Sequence, residues 1–184
     1  MPSPVSPWHN RESALAVGWL MMYEDHTPGV QTMNNGSVAL DDRSELQPDT
    51  GLRILPEYGG QTRTEPRYIA GAPELLVEVS RSSRNIDLEA KLKVYERAGV
   101  LEYVVCAAEP DQVIWHTRRG KKLVVVPPGG DGLYRSTAFP GLWLDPRALL
   151  ADDFKSLLKA LNRGLATPEH AAFVARLAQA RQTS

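Results

Sequence analysis

The run LLVEVS at residues 75–80 constrains this chain more than any other stretch. Side chains alternate along a strand, so Leu75, Val77 and Val79 share one face and Leu76, Glu78 and Ser80 share the other. Neither face is polar as a whole. The run therefore reads as a central strand covered on both sides, which requires an α/β arrangement with helices packed on a sheet. It also sets a carboxylate in a covered position. An ionised carboxylate is costly there unless it meets a cation or a metal ion. Glu78 thus needs a partner from elsewhere in the chain.

The next stretch, RNIDLEAKLKVYERAGV, supplies candidates. Its period predicts a helix from Ile86 to Ala98, with Gly99 as the C-terminal cap. Glu89, Lys93, Glu96 and Arg97 take the wet side of the wheel. Asp87 and Lys91, spaced i,i+4, fall inside the apolar arc. They form either an intrahelical ion pair under a loop or part of one site with Glu78, where a cation would keep the carboxylate charged. Pro48-Asp49 precedes a strand candidate at Thr50–Leu55. Two carboxylates from neighbouring strands can hold one hard divalent ion through oxygen.

Around these elements the sequence predicts an extended Pro/Ser-rich N-terminus at 1–8 and a helix over 9–24 with an apolar stripe of Leu15, Trp19, Met22 and Tyr23. A strand pair is expected at Val30–Met33 and Ser37–Leu40, turned by NNG, followed by a polar loop LDDRSELQPD. EYGGQTRTEPRYIAGAP is a long Gly/Pro-broken connection. EYVVCAA is a strand, and QVIWHT and KLVVVP form a hairpin around RRG. A short strand near LYRS is expected to complete that sheet. Two helices, about 146–163 and 168–180, close a single domain spanning 1–184, with Thr167-Pro168 starting the second. Helix, strands, helix, strand imply a mixed sheet flanked by helices.

Net charge is −1, so any basic surface is local. Arg81 to Lys122 holds nine Lys and Arg against six Asp and Glu. Arg81 and Arg84 flank the exit of the Glu78 strand. Arg118, Arg119, Lys121 and Lys122 gather at the hairpin turn and are candidate phosphate contacts, weighed against a solvated hairpin end. The single cysteine, Cys106, reads as a buried core thiol. With no second cysteine there is no intrachain disulfide, which fits a reducing cytosol and a cytoplasmic protein. ALAVGWLMMY is about half the length a bilayer requires, so no membrane association is expected. The four histidines show no zinc spacing.

The stretches GAPELLVEVSRSS, IDLEAKLKVYERAGVLEYVV and FPGLWLDPRALL, following Pro48-Asp49, resemble the restriction endonuclease family of the PD-(D/E)XK nuclease superfamily. The resemblance implies a restriction-endonuclease-like core and Mg²⁺-dependent cleavage of DNA, with Mn²⁺ as a substitute. It makes Asp49 and Glu78 metal ligands, together with the Val79 carbonyl. The family's usual lysine stands two residues after the glutamate. Ser80 occupies that place here, so Lys91 would supply the ammonium from the helix, held by Asp87, with Tyr95 beside it. It also implies a homodimer, suited to cutting two strands. Relatives carry a Tyr-Glu pair ahead of the SPVSPWH stretch with which this sequence opens. The rival expectations are a catalytically silent nucleic-acid-binding or interaction module that keeps the fold, and a buried Glu78–Lys91 salt bridge with a purely structural role.

Overall fold

The computed structural model describes the backbone of residues 7–41, 44–82 and 86–183, and the side chains of 10–40, 44–80 and 88–183. Its elements are α1 (Pro7–Asp25), β1 (Val30–Asn34), β2 (Val38–Asp41), β3 (Ser44–Leu46), β4 (Thr50–Ile54), β5 (Arg63–Thr64), β6 (Ile69–Ala70), β7 (Leu75–Ser82), α2 (Ile86–Ala98), β8 (Glu102–Glu109), β9 (Asp111–Arg119), β10 (Lys122–Val126), β11 (Tyr134–Arg135), β12 (Trp143–Leu144), α3 (Pro146–Leu150), α4 (Phe154–Leu165) and α5 (Pro168–Thr183). A mixed six-stranded sheet has the order β1-β4-β7-β8-β9-β10. β7 and β8 are parallel, joined through α2, and the other neighbours are antiparallel.

The alternation in β7 divides the core. Leu75, Val77 and Val79 pack with Leu15, Trp19 and Tyr23 of α1 and with Leu157 and Leu161 of α4. Leu76 faces the other way, with Leu88 and Tyr95 of α2 and with Val38 and Leu40 of the second sheet. Apolar burial on both faces is the main stabilising term for such a strand. Gly99 ends α2 in the left-handed region, at φ 101°, where its N–H and that of Val100 both donate to the Tyr95 carbonyl.

Three local expectations are corrected. The segments around Val30–Met33 and Ser37–Leu40 are strands but not partners. β1 pairs with β4, and β2 joins a four-stranded sheet of order β3-β2-β6-β5, whose β3 lies inside the expected polar loop. Burying Val38 and Leu40 against the α2 face outweighs the turn signal of Asn34-Asn35-Gly36. The strand at Tyr134–Arg135 does not complete the hairpin sheet but pairs with β12. The helix expected over 146–163 is two helices. Asp152 is left-handed at φ 56°, and the Asp153 carboxylate caps α4 by accepting from Ser156 N–H.

Candidate functional site

β7 carries Glu78 to the α2 side of the sheet, and the i,i+4 spacing of α2 brings Lys91 and Tyr95 to it. Lys91 Nζ donates to Glu78 Oε2 at 2.9 Å, and Tyr95 Oη donates to Oε1 at 2.8 Å. The Glu78 side chain is 4% exposed and that of Lys91 18%. Tyr95 is fully buried and packs edge-on against Tyr103, so it anchors the carboxylate from beneath.

Asp49 reaches β7 from the neighbouring strand. Its Oδ2 accepts from the Val79 N–H at 2.7 Å. Thr50 stands opposite Val77, where the β4 ladder ends, so the register carried two residues further sets Val79 opposite Pro48. There the Asp49 carboxylate, not a main-chain carbonyl, takes the Val79 N–H. Pro48 has no N–H, so it offers no ladder donor to the Val79 carbonyl. In a strand the N–H and C=O of one residue leave on the same edge, so the Val79 carbonyl also faces the Asp49 side. Alternation with Gly51, which lies against Leu76 Cδ2, sets residue 49 on the Glu78 face.

Burial pushes the Glu78 carboxyl above its ordinary range. The Lys91 ammonium and the two hydrogen bonds oppose this, and the charge of Asp49 adds to it. Burial and the adjacent Glu78 charge push the Tyr95 phenol upward, so it stays a donor. A buried carboxylate whose cost of ionisation the charge of Asp49 raises, with oxygen-only donors around it, fits a hard divalent cation. Among the described residues no three His, Cys, Asp or Glu converge as a metal cluster. Two carboxylates and a main-chain carbonyl are the kind of donor set that an ion such as Mg²⁺ accepts, completing its shell with water and phosphate oxygens.

The other expected residues divide. Ser80 is buried in β7 on the Glu78 face. The side chains of Arg81 and Asp87, and all of Arg84, lie outside the described residues. The four basic residues of the hairpin do not form one exposed cluster. Arg118 turns inward, its Nε donating to the Val100 carbonyl at 2.8 Å and Nη2 to the Glu96 carbonyl at 2.6 Å. Lys122 pairs with Glu96 at 3.1 Å. Arg119, Lys121 and Lys122 are exposed, so only Arg118 leaves the cluster. Because β9 runs back along β8, this turn lies at the Leu75 end of the sheet, away from Glu78. Cys106 is buried, and burial pushes its thiol upward, as a core residue requires. A cleft of about 670 Å³ lies between Arg53 of β4 and Arg67 and Tyr68, and is lined by none of Asp49, Glu78 and Lys91.

Among the buried titratable residues that the sequence did not single out, Glu12 stands apart. Glu12 of α1 is 3% exposed, and its Oε2 has no hydrogen-bond partner. Burial pushes its carboxyl up to about 7, with Asp152 and Asp111 adding to the shift and Arg11 opposing it. Its charge, like that of Asp49, is felt at Cys106, the register partner of Val79. The available signal was its position three residues before Leu15 in the apolar stripe.

A family model described as Uma2, putative restriction endonuclease, matches residues 1–147. In fold, the chain is similar to a solved protein of Anabaena variabilis ATCC 29413 described as a putative nuclease belonging to DUF820. The TM-score is 0.62 and the identity 14%, over 82% of this chain and 84% of that one. No curated protein matches.

Proposed function

Because the chain belongs to the Uma2 family, described as putative restriction endonucleases, we propose that it is a divalent-metal-dependent endonuclease that hydrolyses DNA phosphodiester bonds. The observation that carries this reading is the buried Glu78 carboxylate, held between Lys91 and Tyr95 at the strand whose next residue binds Asp49. Asp49, Glu78 and the Val79 carbonyl would hold Mg²⁺ or Mn²⁺. When bound, the ion supplies polarisation of the phosphate and a more acidic water. Lys91 orients that water or offsets the charge that develops on the phosphate oxygens. Tyr95 fixes the Glu78 rotamer. Ser80 lines the strand end. Arg81 and Arg84, which follow Glu78 in the sequence, are candidate phosphate contacts, with exposed Arg119, Lys121 and Lys122 as the hairpin's contribution. The active form is a cytoplasmic homodimer, one protomer for each DNA strand.

Plasmid cleavage in Mg²⁺ or Mn²⁺ tests this. Glu78→Gln and Lys91→Ala should each lower the rate by about 10²-fold or more, while circular dichroism shows a folded protein. Wild-type rates from both variants would overturn the assignment. Mn²⁺ binding that disappears in Asp49→Asn separates a nuclease from a silent binding module, which has no need of the ion.

A further inference from the structure

α4 lies beyond the residues that the family model matches. Its buried side, Leu157, Ala160, Leu161 and Gly164, packs on the core. Its other side exposes Lys155, Lys159 and Arg163, spaced i, i+4, i+8, with no acidic residue between Phe154 and Leu165. At 1.5 Å rise per residue this is a cation about every 6 Å along one helix face. Residues 154–183 hold five Lys and Arg against one Glu, net +4 in a chain of net −1, so the rest together carries −5. Such segregation is not needed for solubility; Arg176 and Arg181 belong to α5, and the outer side of α4 itself sets three cations in one row behind its Asp153 cap.

The stripe is also shaped. The stems of Lys155, Lys159 and Arg163 border a shallow groove of about 590 Å³ floored by Leu158 and Ala166. The Arg163 guanidinium lies 5.5 Å from the Trp143 ring centre, and Arg135 covers the same ring at 4.3 Å. Asp131 pairs with Arg135 at 2.7 Å and stands 3.8 Å from Arg163, so Arg163 is partly neutralised but held in place. Among the described residues, no carboxylate comes within 4 Å of Lys155 or Lys159.

We propose that this face of α4 is a phosphate-backbone contact surface for duplex DNA, supplying sequence-independent affinity on the side of the sheet opposite Glu78. The partner's chemistry follows from what the face offers. It presents point charges at a regular spacing. Trp143 is covered by guanidinium groups, so the face lacks an exposed aromatic anchor of the kind protein interfaces use. Phosphate contacts need only placed cations, and they position a duplex without reading it. The choice of duplex rests on the nuclease reading.

The test is duplex binding by fluorescence anisotropy in EDTA across a salt series, with the whole chain. Changing Lys155, Lys159 and Arg163 together to Gln should flatten the log–log salt slope by about 2 to 3, at about 0.9 for each phosphate that is no longer neutralised. The charge-preserving set Lys155→Arg, Lys159→Arg, Arg163→Lys should keep the wild-type slope, which separates charge from helix damage. An unchanged slope in the Gln variant overturns the surface, as does weakened binding to polyglutamate or anionic vesicles with duplex binding intact. If the slope falls as expected but wild type cuts no DNA in Mg²⁺ or Mn²⁺, the nuclease reading fails and the surface stands. If wild type cuts and the slope is unchanged, only the surface fails.

Discussion

Glu12 and Glu78 are both buried carboxylates, yet their surroundings set them apart. Glu78 has an ammonium and a phenol within hydrogen-bonding distance. Glu12 has an oxygen with no partner and two nearby acids. Its folded value of about 7 lies above the ordinary 4.5, so the folded state binds this proton more tightly than the unfolded chain. The stability it contributes is fully present below about pH 4.5 and is lost as pH rises through 7. Glu12→Gln should therefore leave the melting temperature nearly unchanged at pH 4 and raise it at pH 8. Melting curves at the two pH values check this, and equal shifts at both would refute it. At Glu78, Tyr95→Phe deletes one hydroxyl and keeps the ring. Losing a buried hydrogen bond to a charged acceptor should cost about 1.5–3 kcal/mol, read by urea denaturation. Glu78 and Lys91 were legible because both sit in strongly periodic segments. Glu12 was not, because a single polar position in an apolar helix stripe does not reveal what packs over it.

Two elements hold the site by close approach. A Cβ on Gly51 of β4 would come within 2.7 Å of the Leu75 carbonyl and 2.9 Å of Leu76 Cδ2. Gly51→Ala should push β4 away from β7 and carry Asp49 off the Val79 N–H. The expected outcome is weaker Mn²⁺ binding in a protein that still folds, measured by calorimetry, and wild-type affinity would contradict it. The second element is the end of α2. Arg118 donates to the carbonyl of Glu96, a group that a helix terminus otherwise leaves unpaired, and to that of Val100 just beyond the helix. Arg118→Ala should destabilise by about 1.5–3 kcal/mol, whereas Arg119→Ala should stay within about 0.5 kcal/mol. Denaturant midpoints for the two variants decide this. A four-residue basic turn reads from sequence as one exposed cluster. Which of its members points outward depends on what lies across the strand.

Across the molecule, each outer strand of the main sheet has an outward N–H occupied by a helix glutamate. In β1, Gly29 and Asn35 bond toward β4, so Thr32 faces out, and its N–H donates to Glu24 of α1 at 2.7 Å. In β10, the Leu123 N–H donates to Glu96 of α2 at 2.9 Å. Unpaired edges template association with other chains, and these carboxylates block that pairing at each edge. Glu24→Ala with Glu96→Ala should yield higher oligomers or aggregates by light scattering at concentrations where wild type is clear. Val125, 63% exposed beside the second block, would be the first contact. The sequence alone determined that a two-faced strand would carry Glu78 inside an α/β core. It also determined that α2 would run from Ile86 to a stop at Gly99 with Lys91 and Tyr95 one turn apart, and that β9 and β10 would form a hairpin. Those features follow from periods of 2 and 3.6 and from a local cap, which are properties of contiguous residues. Only the tertiary structure decided that β1 pairs with β4 rather than β2, that Asp49 closes the Val79 N–H opposite Pro48, that Arg118 is turned inward and that Glu12 is buried without a partner. Each of these depends on which strands and helices become neighbours. That choice is made by burial summed over the whole core, and no window of the sequence contains it.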